Sequence, residues 1–304
     1  MTKTAWVFPG QGSQLVGMGV DLLETAIARE RYHQAEEILG WSILDCCKGE
    51  LEILSQTLYT QPCLYVISAI LTDLLREKGC RSAVMAGHSL GEYAALYAAG
   101  TLDFRAGLKL VQRRAELMDD ASGGKMVAVM GFDRDAIDAA VAAIPDVVLA
   151  NDNHADQIVI SGSPTAVDAL LASVKIKRSV PLKVSGAFHS PLMAQASQEF
   201  SEVLQSVLFR DAQVPVIANV EPTPATDAAT LQERLMQQMT GPVRWREICL
   251  ALTEMGVEEV IEVGPGKVLT GLVKRTCPGM KLTQMGTLAN LAAYTSADSC
   301  VEVA

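Results

Sequence analysis

A chain of 304 residues that is 49% hydrophobic can bury a sizeable core in one large domain, or in a large and a small one, which excludes a disordered protein. Its formal net charge of −10, with no lysine-rich tail, argues against a nucleic-acid binder while leaving room for a local basic patch. Seven cysteines, an odd number without C-x-x-C spacing, point to free thiols in a reducing cytoplasm and to neither a disulfide framework nor a metal cluster. The chain runs straight into strand-like sequence, so no signal peptide is expected. Its most apolar stretch, residues 63–75, is interrupted by Asp73 and too short to span a bilayer.

Thr4–Phe8 is a first buried strand. Pro9-Gly10-Gln11-Gly12-Ser13-Gln14 follows as a tight loop with N–H groups free to meet a ligand; it lacks the third glycine of a dinucleotide fingerprint. Helices are predicted over residues 22–38 and 61–78, the second with Pro62 in its first turn. Residues 83–86 read as a short buried strand, residues 90–99 as an Ala- and Leu-rich helix closed by Gly100, and residues 104–121 as a long helix capped by Asp103. After Gly123-Gly124 the pattern changes. Strands over 126–130, 147–150, 158–161 and 179–184 alternate with helices over 133–143 and 164–174, in the ferredoxin-like order βαββαβ. Ser190 and Pro191 then begin a helix to about residue 208. A strand over 214–218, helices over 231–239 and 243–255, and a strand over 257–263 follow. Gly264-Pro265-Gly266-Lys267, which fails the Walker pattern, precedes a last helix. The expected organisation is α/β, with a larger unit of residues 1–124 and 187–290, an inserted ferredoxin-like unit of residues 125–186, and a polar tail over 291–304.

Gly87-His88-Ser89-Leu90-Gly91 matches G-x-S-x-G between the strand and helix predicted there. A serine on such a turn is pushed out of the backbone, and glycines flank it because a Cβ would clash where strand and helix nearly touch. The N–H of Leu90 could stabilise an oxyanion. Serine needs a base. His33 lies on a polar helix surface, His88 points away from its neighbour, and His154 sits in a polar loop. His189 falls at the seam of the two predicted units, where ligands commonly bind, and is the candidate base. Arg114 has Leu110, Val111, Leu117 and Met118 at its helical neighbour positions, whereas Arg113 has Lys109 and Glu116 among its own. A cation in the apolar setting of Arg114 needs either an anionic ligand or a structural ion pair.

Phe8 to Gln14, Gly87 to Tyr93, Gly186-Ala187-Phe188-His189-Ser190 and Glu262-Val263-Gly264-Pro265-Gly266 occur in an order that resembles the malonyl-coenzyme A:acyl carrier protein transacylases of fatty-acid synthesis and the acyltransferase domains of polyketide synthases. The resemblance covers residues 4–287. It implies an α/β-hydrolase-like core with a parallel sheet carrying a ferredoxin-like subdomain. It implies Ser89 as nucleophile, His189 as base and acid, the Gln11 and Leu90 amides as oxyanion hole, and Arg114 as clamp for the malonyl carboxylate. The family orients its histidine with a backbone carbonyl, and the matching position here is Gln238. The Gly-Ala-Phe-His form at 186–189 is similar to the malonyl-selective version of that motif. Malonyl-coenzyme A and acyl carrier protein are the implied partners, with no metal or redox cofactor. Carrier proteins of this kind are acidic, so the basic run ending in Lys177 and Arg178 is the expected docking patch.

Two other readings share the serine. A thioesterase or esterase of neutral substrates would gain nothing from a buried Arg114. A non-catalytic carrier-binding scaffold would have no use for the intact Ser89, His189 and Gln11 together.

Overall fold

The computed structural model describes residues 2–294. Its elements run β1 (Thr4–Phe8), α1 (Ala26–Leu39), α2 (Ile43–Lys48), α3 (Leu51–Leu54), α4 (Thr57–Glu77), β2 (Val84–Gly87), α5 (Gly91–Ala98) and α6 (Phe104–Asp120). A second group follows: β3 (Lys125–Phe132), α7 (Arg134–Ala143), β4 (Val147–His154), β5 (Gln157–Gly162), α8 (Pro164–Ser173) and β6 (Ile176–Pro181). The chain ends with α9 (Ala194–Gln205), β7 (Val216–Ile217), α10 (Ala228–Gln237), α11 (Trp245–Glu254), β8 (Glu259–Val263), α12 (Val268–Thr276), β9 (Lys281–Met285) and α13 (Leu288–Ala293).

Two sheets organise these elements. The larger is all parallel, in the order β7–β2–β1–β8–β9. Period-two alternation decides what each face buries. Trp6, Phe8, Met85 and Ile261 face α4, α5 and α6, while Ala5, Val7, Ala86 and Val260 face α11 and α12. With helices on both faces the central strands β1, β2 and β8 are buried throughout, as parallel sheets require, while the edge strand β9 is partly exposed. α4 is long and apolar enough to cross a membrane by length and composition, yet most of it is buried in this core. The second sheet is antiparallel, in the order β4–β5–β3–β6, with α7 and α8 on one face, which is the ferredoxin-like arrangement. The fold is therefore an α/β core with a parallel sheet, carrying a separate ferredoxin-like sheet.

Several elements differ from the sequence reading, each for a local reason. The helix expected over 22–38 is split, because Thr25 accepts from the Ala28 amide and donates to the Leu22 carbonyl, ending a 3₁₀ turn and starting α1. α4 begins at Thr57, so Pro62 lies in its second turn, where proline removes only one backbone bond. The strand expected over 179–184 is β6 at Ile176–Pro181, because its ladder with β3 sets the register (Phe132 opposite Ile176, Val127 opposite Pro181). Ser190 does cap a helix start, accepting from Leu192, but a 3₁₀ turn over Pro191–Met193 precedes α9. α2, α3, β9 and α13 have no counterpart in the sequence reading. Residues 291–293, grouped there with the tail, belong to α13 and bury Leu291; residues 295–304 lie outside the described residues.

The backbone is tightly crossed at the ends of β1 and β2. A Cβ on Gly87 would overlap the Gly91 carbonyl, and a Cβ on Gly91 would overlap the Phe8 carbonyl oxygen. Gly91→Ala should thus cost about 3–5 kcal/mol in denaturant unfolding, through overpacking that backbone cannot relieve. Gly40→Ala should cost only about 1 kcal/mol, because Gly40 has a left-handed φ of 75° but nothing within 4 Å of its Cβ position. Equal losses would show that the crossing of β1, β2 and α5 is not tight.

Candidate active site

Ser89 stands on the corner between β2 and α5 with φ of 51°, a conformation unfavourable for a residue with a side chain. Three groups hold it there. The Ser89 amide donates to Asn219 Oδ1 (2.7 Å), and Asn219 Nδ2 donates to the Gly87 carbonyl (2.5 Å). Gln238 Nε2 donates to the Ser89 carbonyl (3.0 Å) and to Glu92 Oε2 (2.8 Å), which also accepts from the Asn219 amide (3.1 Å). Asn219, Glu92 and the Gln238 side chain were not foreseen as part of this corner. Glu92 directly follows the serine motif, three residues after Ser89, the one sequence signal that could have marked it.

His189 Nε2 lies 2.7 Å from Ser89 Oγ. Its Nδ1 faces the carbonyl oxygens of Gln238 (3.0 Å) and Gly241 (3.2 Å). Carbonyls only accept, so this network puts the ring proton on Nδ1 and aims the Nε2 lone pair at the serine. Burial, followed by the Arg114 charge, pushes the His189 pKa down to about 3, so the ring is a neutral acceptor at neutral pH. Among the described residues, no other histidine bonds the Ser89 hydroxyl. His88 Nε2 meets Asn153 Oδ1 (2.9 Å) beside the Trp245 ring; His154 Nδ1 accepts from the Asp156 amide (3.2 Å); His33 pairs with Glu37 at the surface.

Arg114 is 1% exposed, and its guanidinium closes the site. Nη1 donates to Gln61 Oε1 (2.7 Å), and Nη2 donates to Ser89 Oγ (3.1 Å) and Gln238 Oε1 (3.1 Å). Nε has no acceptor, the Tyr93 ring lies 5.5 Å from the guanidinium carbon, and among the described residues no carboxylate forms an ion pair with it. Arg113, in contrast, pairs with Glu116 and Glu199 at the surface. A buried cation whose partners are all neutral is set to receive an anion.

Ser89, His189, Arg114, Gln11 and Leu90 line one inner cavity of about 80 Å³. Among the described residues, neither the Gln11 nor the Leu90 amide has a hydrogen-bond acceptor. The cavity opens beside a larger cleft of about 1440 Å³ between the small sheet and α12; Gln11, His88 and Leu182 line both. His154 and Lys177 line the outer cleft, whereas Arg178 lines neither. Chemically, the inner arrangement can deprotonate a serine, hold an oxyanion on two amides and neutralise a carboxylate next to the reacting carbon.

A histidine buried neutral loses stability for the fold as pH drops from its ordinary 6.5 toward about 3, since the unfolded chain then binds the proton and the folded chain does not. Imidazole NMR should accordingly show His189 unprotonated between about pH 8 and about pH 5. A midpoint near the ordinary value would mean that water reaches the ring.

Known proteins share the sequence and fold of this chain. The acyl transferase domain family matches residues 5–293. A malonyl CoA-acyl carrier protein transacylase of Synechocystis sp. is 60% identical over 289 residues, 95% of this chain and 99% of the relative. The crystal structure of the Synechocystis malonyl-CoA:ACP transacylase superposes with a TM-score of 0.95 at 59% identity, over 96% of this chain and 100% of that one. A malonyl-transacylase solved in complex with a type II polyketide acyl-carrier protein superposes with a TM-score of 0.90 at 36% identity, over 96% and 98% of the two chains.

Proposed function

The chain belongs to the acyl transferase family, and we propose that it moves malonyl from malonyl-coenzyme A to the pantetheine thiol of acyl carrier protein, through a malonyl ester on Ser89, to supply fatty-acid synthesis. The observation that carries this reading is Arg114: a buried cation with no anionic partner, 3.1 Å from the Ser89 hydroxyl. Its planar guanidinium fits a carboxylate fork, which malonyl has and acetyl lacks. A hydrolase of neutral esters would bear the desolvation of that charge without gain.

In the proposed reaction His189 Nε2 takes the Ser89 Oγ proton as Oγ attacks the thioester carbonyl. The oxyanion rests on the Gln11 and Leu90 amides, where the loss of one donor typically costs roughly 2.7–4 kcal/mol of barrier. His189 returns the proton to the departing coenzyme A thiolate. In the second half the carrier thiol gives its proton to His189 and attacks the ester, and Ser89 leaves with that proton. The carbonyls of Gln238 and Gly241 steady the imidazolium through Nδ1. No step calls on a metal or redox cofactor.

A base with pKa near 3 is weak, and the geometry offers a remedy. Arg114 is the second cause of that depression, after burial. A malonyl carboxylate on the guanidinium cancels part of that charge, and Nη2 turns from Ser89 Oγ to the ligand. Malonyl therefore strengthens its own base and frees its own nucleophile, whereas acetyl leaves both restrained.

Mass spectrometry after mixing with malonyl-coenzyme A should show one malonyl group on the wild type and none on Ser89→Ala. Arg114→Ala should lose malonyl transfer by about 30- to several-thousand-fold, the factor for removing one partner of a buried charge pair at about 2–5 kcal/mol, while keeping acetyl transfer. Arg113→Ala should be nearly silent. A malonyl adduct on Ser89→Ala would end the nucleophile assignment, and retained malonyl preference in Arg114→Ala would put the carboxylate elsewhere.

For the carrier, we place the acidic surface on the basic run ending in Lys177 and Arg178, whose cations Lys175, Lys177 and Arg178 are exposed along and beside β6, the edge strand of the small sheet. Lys177 also lines the cleft, so Arg178 gives the cleaner test. Arg178→Glu should raise KM for carrier protein roughly three- to tenfold and leave KM for malonyl-coenzyme A in place. Equal effects on both substrates would remove the docking role. A cytoplasmic location suits a chain in which none of the described cysteines forms a disulfide.

A further inference from the structure

Glu92 is 1% exposed, lies behind the serine corner and takes no part in the proposed reaction. It belongs to the first turn of α5, three residues after Ser89. Burial pushes its pKa up to about 7, so the fold carries a costly carboxyl that performs no chemistry. Its bonds give the reason. Glu92 Oε2 accepts from the Asn219 amide (3.1 Å) and from Gln238 Nε2 (2.8 Å). One oxygen thus meets a donor fixed by main chain and a donor carried on a side chain.

A glutamine amide has two unlike ends, and its neighbours decide which way it faces. At Gln238 the oxygen accepts from Arg114 Nη2 (3.1 Å), and the nitrogen donates to Glu92 Oε2 and to the Ser89 carbonyl (3.0 Å). Turned end for end, the amide would set its nitrogen against the guanidinium, donor against donor. Its oxygen would then face the Ser89 carbonyl and Glu92, acceptor against acceptor. In the proposed reaction Nη2 turns toward the malonyl carboxylate, which loosens the hold of Arg114 on the Gln238 oxygen. The nitrogen side then keeps the amide in place. The other amide on the guanidinium lacks such an anchor. Gln61 Oε1 accepts from Nη1 (2.7 Å), but Gln61 Nε2 donates to the Met118 sulfur, a weak acceptor, at 3.4 Å.

We infer that Glu92 is a positioning residue for acyl selection: anchored on the Asn219 amide, it fixes the sense of the Gln238 amide, whose oxygen keeps the Arg114 guanidinium aimed beside Ser89. This role presupposes the malonyl transfer proposed above and names a residue that sets its acyl preference. Glu92 works through an acceptor oxygen at one place, so an oxygen without a charge serves as well. In Glu92→Gln, the Asn219 N–H and Gln238 Nε2 are both donors and draw the oxygen of the new side chain to the same position.

The test measures kcat and KM for malonyl and acetyl transfer in wild type, Glu92→Ala and Glu92→Gln, with both thioesters on one preparation of each. The ratio of the two kcat/KM values does not depend on the fraction of chains that fold. Glu92→Ala should lower the malonyl-to-acetyl ratio roughly tenfold, with KM raised for malonyl-coenzyme A and changed less than about twofold for acetyl-coenzyme A. Glu92→Gln should bring the ratio back to within about threefold of wild type. Gln238→Met removes the amide and keeps the carbonyl that orients His189. It should lower the ratio by the same factor, and combining it with Glu92→Ala should lower the ratio no further. Should Glu92→Ala not fold, Gln238→Met and Glu92→Gln decide alone: the first must lower the ratio and the second must keep it. Equal losses for malonyl and acetyl, losses that multiply in the double variant, or a Glu92→Gln as poor as Glu92→Ala would overturn the proposal. A wild type without preference for malonyl would instead remove the reading on which it rests.

Discussion

Everything at the site depends on three backbone segments meeting with no side chain between them. The loop after β1, the end of β2 and the start of α5 cross so closely that Gly10, Gly87 and Gly91 could each take no Cβ without striking a neighbouring carbonyl. This crossing forces Ser89 into its left-handed corner, at about 1–3 kcal/mol of local strain, and the surrounding bonds from Asn219 and Gln238 keep it there. It also brings the loop carrying Gln11 beside the first turn of α5, so both free amides arise from backbone alone. Two donors fixed by main chain need no reorganisation as charge develops, which is what an oxyanion site requires.

Around that corner the protein buries ionisable groups without simple pairing. Arg114 has neutral acceptors, His189 is held neutral, and Glu92, its pKa raised to about 7 by burial and only partly restored by Gln238, Asn219 and Arg114, lies behind the serine. Gln238 is the junction. Its carbonyl orients His189, its amide oxygen faces Arg114, and its amide nitrogen joins Ser89 to Glu92. One residue thus fixes nucleophile, base and clamp relative to one another, and a shift in any of them is felt by all three. The resting site carries a positive charge whose hydrogen-bond acceptors are all neutral, which is the feature the proposed anionic acyl group would complete.

Much of this was legible in the sequence because short-range rules governed it. The glycines of the G-x-S-x-G turn, the cap at Asp103, and the separation of Arg114 from Arg113 by helix face all follow from contacts within a few residues, and the structure places them so. The meeting of Ser89 with His189, 100 positions away, was suggested by the place of His189 at the seam of the two predicted units and by resemblance, with no local contact to fix it. What escaped was set by tertiary pairing. β9 reads as a polar segment yet is held on the sheet edge by its ladder with β8, and β6 takes its register from β3. Asn219 had no local signature, since its role comes from the distance it spans, from β7 to the serine corner.

The division of the void into a small inner cavity and a large outer cleft has a consequence for selectivity. In a two-step transfer the acyl group occupies the same place in both halves, bound to the same serine, so the residues that read it must be inner and shared. The handle changes between halves, from a nucleotide to a folded protein, and every contact common to both handles is limited to the pantetheine arm. In the proposed reaction, discrimination between acyl groups therefore belongs to Arg114 and its neutral partners, where an unmatched charge is most costly because the guanidinium is buried. In the proposed reaction, discrimination between handles has to lie outside the inner cavity, where contacts face solvent and each is weak and salt-sensitive. Weak outer contacts suit the chemistry, because a handle that has delivered or received its acyl group must leave before the next can enter the same cleft.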